Sequence, residues 1–281
     1  ALPETEITVY ERNREGDTFG WGVVFSDETL GHFERADKPS YDAITQAFVH
    51  WTDIDTWLRG SWVRSTGHGF SGLGRKRLLS ILGGRCRDLG VKLVFEREVP
   101  DPRALMREAD LVIGADGVQS MVRGTFEAAF RPDIRLGNAR FTWLGTTLPL
   151  EAFTFLFQET GHGLFQVHAY PFEPGLSTFI VECDEATWKR AGMDTADEPT
   201  TAAFMERVFA QHLQGHRLLI NRSIWRRFPT IRCGAWHHEN VVLMGDAVHT
   251  AHFSIGSGTK LAMEDAIALV GAFRAHGTSD V

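Results

Sequence analysis

The sequence predicts an α/β fold in which a parallel strand–turn–helix body is interleaved with a mainly antiparallel β-sheet. Three stretches predict it. Asn240 to Phe273 reads as a short buried strand, an acid, a glycine turn and a helix. Asp110 to Arg123 reads as a second buried strand closed by Asp116-Gly117. Between them, Arg131 to Ala235 alternates apolar and polar residues over several runs, the pattern of strands with one face on a core.

Composition sets the bounds. The 281 residues are 43% hydrophobic and 23% charged, ordinary for one or two globular domains. A net charge of −7 argues against bulk nucleic-acid binding. Cys86, Cys183 and Cys233 are odd in number and widely spaced, which suits a reducing cytoplasm better than a disulfide framework or a thiolate metal site. No apolar run approaches the ~20 residues of a membrane span, so no membrane partner is expected. The first residues lack the basic and apolar regions of a signal peptide.

In chain order, Ile7 to Tyr10 is a short strand followed by Glu11-Arg12. Phe19 to Phe25 is glycine-rich and aromatic. Glu28 to Trp51 reads as one or two short helices broken near Pro39. Trp57 to Gly69 has strand character, with Trp62-Val63 central. Gly72 to Leu82 reads as a loop entering a helix, with Arg75 and Arg77 at its start. Val91 to Phe95 is a strand, Val99 follows it, and Arg103 to Glu108 is a short helix.

The alternating region places Gln166, His168 and Tyr170 on one strand face, where they either meet an aromatic ligand or form a solvated outer face. Glu185 to Ala191 and Thr200 to Leu213 read as helices. Arg222, Arg226 and Arg227 form a basic cluster that reads as a solvated face or as a phosphate-binding patch. His237, His238, His249 and His252 come without a carboxylate or thiolate set, so no metal site is expected.

The last stretch carries the chemistry. Val241 to Met244 is a buried strand and Gly245-Asp246-Ala247 follows at once. An acid at a strand end accepts hydrogen bonds from sugar hydroxyls. Glycines such as Gly256 and Gly258 let a flat ligand approach the backbone, and the next helix offers unpaired N–H groups with a partial positive charge. Such an end favours a ring that acquires negative charge.

These residues resemble a known family. Gly245, Asp246, Ala247, His249, Gly256, Gly258, Asp265 and Ala266 match the second flavin motif of the class A flavoprotein monooxygenases, the para-hydroxybenzoate-hydroxylase-like group. Phe253 stands where that motif has proline, and Lys260 where it has asparagine. Asp116, Gly117, Ser120 and Arg123 match the family's Asp-Gly motif. The wording of Phe19 to Leu30 and of His252 to Lys260 is similar to the subgroup acting on aromatic acyl-CoA thioesters such as salicylyl-CoA or 2-aminobenzoyl-CoA, some of which carry a second, reductase half.

The resemblance implies an FAD/NAD(P)-binding Rossmann-like domain lacking its first βα unit, with an interleaved, mainly antiparallel β-sheet substrate domain. Residues 1–130 and 237–281 would bind FAD, with an excursion near 26–68, and 131–236 would form the substrate domain. The family's first strand and phosphate turn would lie roughly 30 residues upstream. It implies FAD, with NADH or NADPH and O2 as co-substrates and a small aromatic substrate, CoA-linked in the subgroup.

By the same resemblance, Glu11 and Arg12 would meet the adenosine ribose, Arg75 (or Arg77) the flavin's phosphate or ribitol, and Val99 the adenine. Asp116 and Gly117 would contact flavin and nicotinamide, and Gly245, Asp246 and Ala247 the ribitol. Gly256, Ser257 and Gly258 would lie beside the flavin ring. His249, His252 and His168 are candidates for aligning or deprotonating the substrate. Two other readings stay open: a truncated relative without catalysis, and a flavin-dependent reductase on the same fold.

Overall fold

The computed structural model describes residues 5–26, 30–253, 256 and 258–277. The amino-terminal part runs β1 (Thr8–Tyr10), β2 (Gly22–Ser26), α1 (Leu30–Ala36), α2 (Lys38–Thr45), β3 (Val49–Trp51), β4 (Ile54–Leu58), β5 (Ser61–Ser65), β6 (Phe70–Gly74), α3 (Arg75–Asp88), β7 (Lys92–Val94), α4 (Pro102–Met106), β8 (Val112–Gly114), α5 (Met121–Thr125) and α6 (Glu127–Phe130). The middle runs β9 (Pro132–Thr146), β10 (Phe153–Thr160), β11 (Gly163–Ala169), β12 (Pro171–Glu173), β13 (Leu176–Asp184), α7 (Glu185–Arg190), α8 (Glu198–Val208), α9 (Ala210–Leu213), β14 (Leu218–Leu219) and β15 (Arg226–Cys233). The chain closes with β16 (His237–His238), β17 (Val241–Leu243), a 3-10 turn at Gly245–Ala247 and α10 (Gly258–His276).

Besides β4 with β10 in the large sheet, two short parallel pairings carry the motif strands. β1 lies parallel to β7, and β17 lies parallel to β8. Each of these strands ends where a ligand site is expected in an α/β sheet, at its carboxyl edge. The two pairs belong to separate sheets, and Val9 and Ile113 are exposed. A core of Val112, Val122, Phe130, Val241 and Leu243 packs beneath the second pair.

Among the described residues, the seven strands of the middle join β4 and β5 in a nine-stranded sheet whose main path is β14-β9-β13-β11-β10-β4-β5, with β12 and β15 paired beside it. Its alternation is strict. Leu144, Leu156, Val167, Phe179 and Val181 share one face with Phe165 and bury it against α8 and α9 through Met205, Phe209 and Leu213. The other face carries Phe141, Phe155, Gln166, His168 and Glu182, as the pairings of β9, β10, β11 and β13 require.

Helix starts follow capping rules. Asp37, Asp101, Ser120, Asp184 and Asp197 each accept a backbone N–H of the first turn, and Pro39, Pro102 and Pro199 sit just inside it. The break near Pro39 is therefore a helix start. Asp37 also takes the Arg85 guanidinium at 2.7 Å, and that partner holds its carboxyl down at about 2.

Two expectations need correction. Trp57 to Gly69 is not one strand centred on Trp62-Val63. It holds a hairpin that turns at Arg59 and Gly60, both with positive φ, and it brings β4 alongside β10 in the large sheet. Gly72 to Gly74 is not a loop but the end of β6, running directly into α3. These glycines are there for close packing. A Cβ at Gly72 would strike the Pro171 carbonyl and lie 2.9 Å from the Trp51 ring. We expect Gly72→Ala to destabilise the protein by about 2 kcal/mol, since backbone cannot rotate aside as a side chain can. A urea melt within error of the parent would show that β6 and β12 separate freely.

Candidate active site

The Gly245 turn is built from the strand outward. β17 delivers Gly245 with φ +59°, a value that suits glycine, and its N–H donates to Asp265 Oδ2 at 2.8 Å. The same oxygen meets His249 Nε2 at 2.9 Å, and the His249 ring lies 4.9 Å from that of Trp236. Asp265 on α10 therefore pins the strand end and the loop beyond it together. His249 is committed to that clamp. Ala247 is fully buried.

Asp246 stands exposed beside this turn. Desolvation by the surrounding protein raises its pKa, opposed by the positive charge of Arg75 and by His249. Arg75 opens α3. Burial lowers its pKa, opposed by Asp246, and its guanidinium lies 4.8 Å from the centre of the Phe19 ring. Among the described residues no carboxylate hydrogen-bonds Arg75. Arg77 is exposed.

Gly256 has φ +63°, and a Cβ there would lie 2.5 Å from Val24 Cγ1, so the loop passes tight against β2. Gly258 begins α10. Ser257 lies outside the described residues.

The Asp-Gly motif is tied to the Gly-Asp motif by a residue whose role the sequence did not disclose. Arg123, 5% exposed, donates from Nη2 to the Val118 carbonyl at 2.6 Å and from Nη1 to the Ala247 carbonyl at 2.7 Å. Asp116 accepts the Ser120 hydroxyl and the N–H groups of Met121 and Val122. Its carboxylate thus caps α5, while Gly117, at φ +80°, turns the chain. At the far edge, Glu11 follows β1 and accepts both the backbone and side-chain N–H groups of Asn13 at 2.7 Å. Arg12 is exposed and Val99 half-buried in the loop after β7.

The second flank of the site is the polar-bearing face of the large sheet. His168, 8% exposed, sits edge-on to Phe155 at 5.1 Å and to Phe253 at 5.9 Å. Its Nδ1 has no partner among the described residues. Burial, with the nearby His252 ring, pushes its pKa down to about 4, so the imidazole is neutral at pH 7. Glu182, 7% exposed, places Oε2 3.8 Å from His168 Nε2. That is beyond hydrogen-bond length. With a neutral imidazole the contact is no ion pair. Sequence reading missed Glu182, whose only signal was a lone acid in an apolar alternation.

Phe253 joins the two flanks. It belongs to the loop after Asp246, yet its ring lies 4.6 Å from Phe141 on β9 and 4.3 Å from His252. His252 also meets Phe228 at 5.0 Å. Tyr170, which sequence placed on the same face, is committed elsewhere: it is buried and its hydroxyl donates to the Gly22 carbonyl at 3.0 Å.

The donor set fits a flavin dinucleotide. It offers a half-buried cation without an acid bonded to it among the described residues, an acid at a strand end, left-handed glycines, and the amino end of a 19-residue helix.

Comparison with known proteins agrees. The FAD binding domain family model matches residues 90–278. Salicyloyl-CoA 5-hydroxylase of a Streptomyces species is 45% identical over 275 residues, which cover 95% of this chain and 53% of that protein. The 3-hydroxy-4-methyl-anthranilyl-[aryl-carrier protein] 5-monooxygenase of Streptosporangium sibiricum is 38% identical, covering 96% of this chain and 72% of its own. The chain thus spans about half the length of the first of these relatives. The tetrameric form of 2-methyl-3-hydroxypyridine-5-carboxylic acid oxygenase shares the fold, with a TM-score of 0.76 at 19% identity, covering 98% of this chain and 77% of that one. Among the described residues no helix is long and apolar enough to cross a membrane. With its Gly-Asp and Asp-Gly motifs locked together by Arg123, and with these relatives, the chain belongs to the class A FAD-dependent aromatic monooxygenases.

Proposed function

We propose that this chain is the flavin-dependent part of an aromatic-ring hydroxylase that uses FAD, NADH or NADPH, and O2. The observation that carries this reading is Phe253. It places the loop of the flavin motif directly on the sheet face that bears His168 and Glu182. A ring held on that face would lie against the loop of the flavin motif.

In this reading residues 1–130 (with the excursion near 26–68) and 237–281 hold FAD, and 131–236 hold the substrate. Asp246 accepts ribitol hydroxyls and Arg75 balances the phosphates. Gly245, Gly256, Ser257 and Gly258 admit the ring system, with the α10 terminus stabilising negative charge on it. Glu11 and Arg12 take the adenosine ribose, Val99 the adenine, and Asp116 and Gly117 border the nicotinamide path. When bound, FAD supplies hydride acceptance and O2 activation. The protein's own part is to hold the ring, exclude water and fix its orientation, which Phe141, Phe155 and Phe253 do by packing.

The substrate we propose is an aromatic ring with a hydroxyl or amino substituent, carried as a CoA or carrier-protein thioester as in the named relatives. Arg222, Arg226 and Arg227 are available for its phosphates. A reductase half, fused or separate, is the partner we propose, and the cytoplasm is the compartment. Three unpaired cysteines support that compartment.

Titrating the chain with FAD by fluorescence quenching, then following NAD(P)H oxidation and ring product with salicyloyl-CoA, tests this. We expect Asp246→Ala to weaken FAD binding about tenfold with little change in thermal melting. FAD binding that ignores Asp246, or NAD(P)H oxidation without any hydroxylated ring, would sink it.

A further inference from the structure

We propose that Glu182, seated beside His168, is the specificity-determining acceptor for the hydroxyl or amino group of the ring substrate, so that the pocket selects rings bearing a hydrogen-bond donor. The inference rests on the function proposed above and names the residue that reads the substrate.

A carboxylate on a mostly aromatic face is costly unless hydrogen bonds compensate it. Glu182 is 7% exposed. Among the described residues no N–H or O–H donates to its side chain, and its near neighbour His168 stands at 3.8 Å. The sheet register fixes both residues: Glu182 lies opposite Phe141 on β9 and Gln166 on β11, and His168 lies opposite Phe155 on β10. The surface around them is largely aromatic, from Phe141, Phe155 and Phe253, with Gln166 and Ile180 alongside. The polar groups on that face are the Glu182 carboxylate, the Gln166 amide and His168, whose Nδ1 is buried without a partner among the described residues.

A structural role would look different. A carboxylate kept for the fold pairs with a cation or caps a helix, as Asp37 does with Arg85 and Asp184 with Thr187. Glu182 does neither. A ligand ring resting on this face would bring apolar surface to the phenyl groups of Phe155 and Phe253. An O–H or N–H on that ring would supply the donor the carboxylate lacks. A methyl ether of the same shape would leave the charge buried and unpaired, which is the basis on which a polar site rejects such analogues. An ionised phenolate would be repelled, so the neutral ring is the form selected. The imidazole adds a second polar contact beside the first.

The test compares methyl 2-hydroxybenzoate with methyl 2-methoxybenzoate, which differ only in the ring O–H donor, by isothermal titration against the FAD-loaded chain. The parent is expected to prefer the phenol by about tenfold or more. Glu182→Gln keeps shape and should cut that preference several-fold. Glu182→Leu should bring the two affinities together, by weakening the phenol and relieving the penalty on the methoxy compound. Equal affinities in the parent, or an unchanged preference in both variants with native melting, would overturn the assignment. The outcome is separable from the function proposed above. Discrimination that persists without FAD supports Glu182 even if no hydroxylation is found, and hydroxylation with no discrimination removes Glu182 alone.

Discussion

Arg123→Met should destabilise the protein by about 3 kcal/mol or more, the largest single loss we expect. The side chain is 5% exposed and donates to the carbonyls of Val118 and Ala247. Methionine keeps the stem and fills most of the space, so the loss is chiefly the guanidinium's. Both hydrogen bonds involve a charged donor, and both carbonyls would be left without it. One carbonyl belongs to the Asp-Gly motif and the other to the Gly-Asp turn, so FAD affinity should fall together with stability. Arg123→Lys retains a point charge but not the fork, and should recover only part of the loss. Urea unfolding of the three proteins checks this. A methionine variant within about 0.5 kcal/mol of the parent would mean that β8 and β17 hold the two motifs without Arg123.

Acid should unfold the protein through His168. Its folded pKa is about 4 against an ordinary 6.5, because burial disfavours the imidazolium. The unfolded chain therefore binds the proton first as pH falls. Stability is complete above pH 6.5, declines as pH drops, and levels off near pH 4. A depression of that size corresponds to about 3 kcal/mol, less whatever the Glu182 carboxylate returns to a protonated ring. His168→Phe removes the titration and should flatten the profile over this window, leaving a smaller slope from His212, which burial also depresses. Denaturant midpoints measured from neutral to acid pH decide it. Parallel profiles for parent and variant would show that His168 protonates freely and is not buried as described.

The candidate site was legible in the sequence where its signal is local. Val241 to Leu243, Gly245 and Asp246 are neighbours in the chain, so their order alone announces a strand, an acid and a turn. The alternation of Phe165, Val167 and Ala169 against Gln166 and His168 gave the sheet and its two faces, because side chains in a strand alternate whatever lies beyond them. Asp116 shows the limit. Its motif was readable, but only the folded turn reveals that its carboxylate caps α5. The Gly72 and Gly74 spacing resembled a loop. Only the approach of Pro171 and Glu173 explains why glycine stands there in a strand.

What the sequence by itself determined, then, are most of the elements, the flavin-motif order and the sheet face on which His168 lies. Tertiary structure alone decided that the β4–β5 hairpin joins the sheet of β10, that Asp265 clamps His249 and Gly245, and that Glu182 lies beside His168. The physical reason is range. Helix and strand periodicity, capping and turn chemistry act within a few residues and leave their pattern in the chain. Strand register, close backbone approach and the burial of a charge depend on which distant segments meet, and no local pattern records that choice.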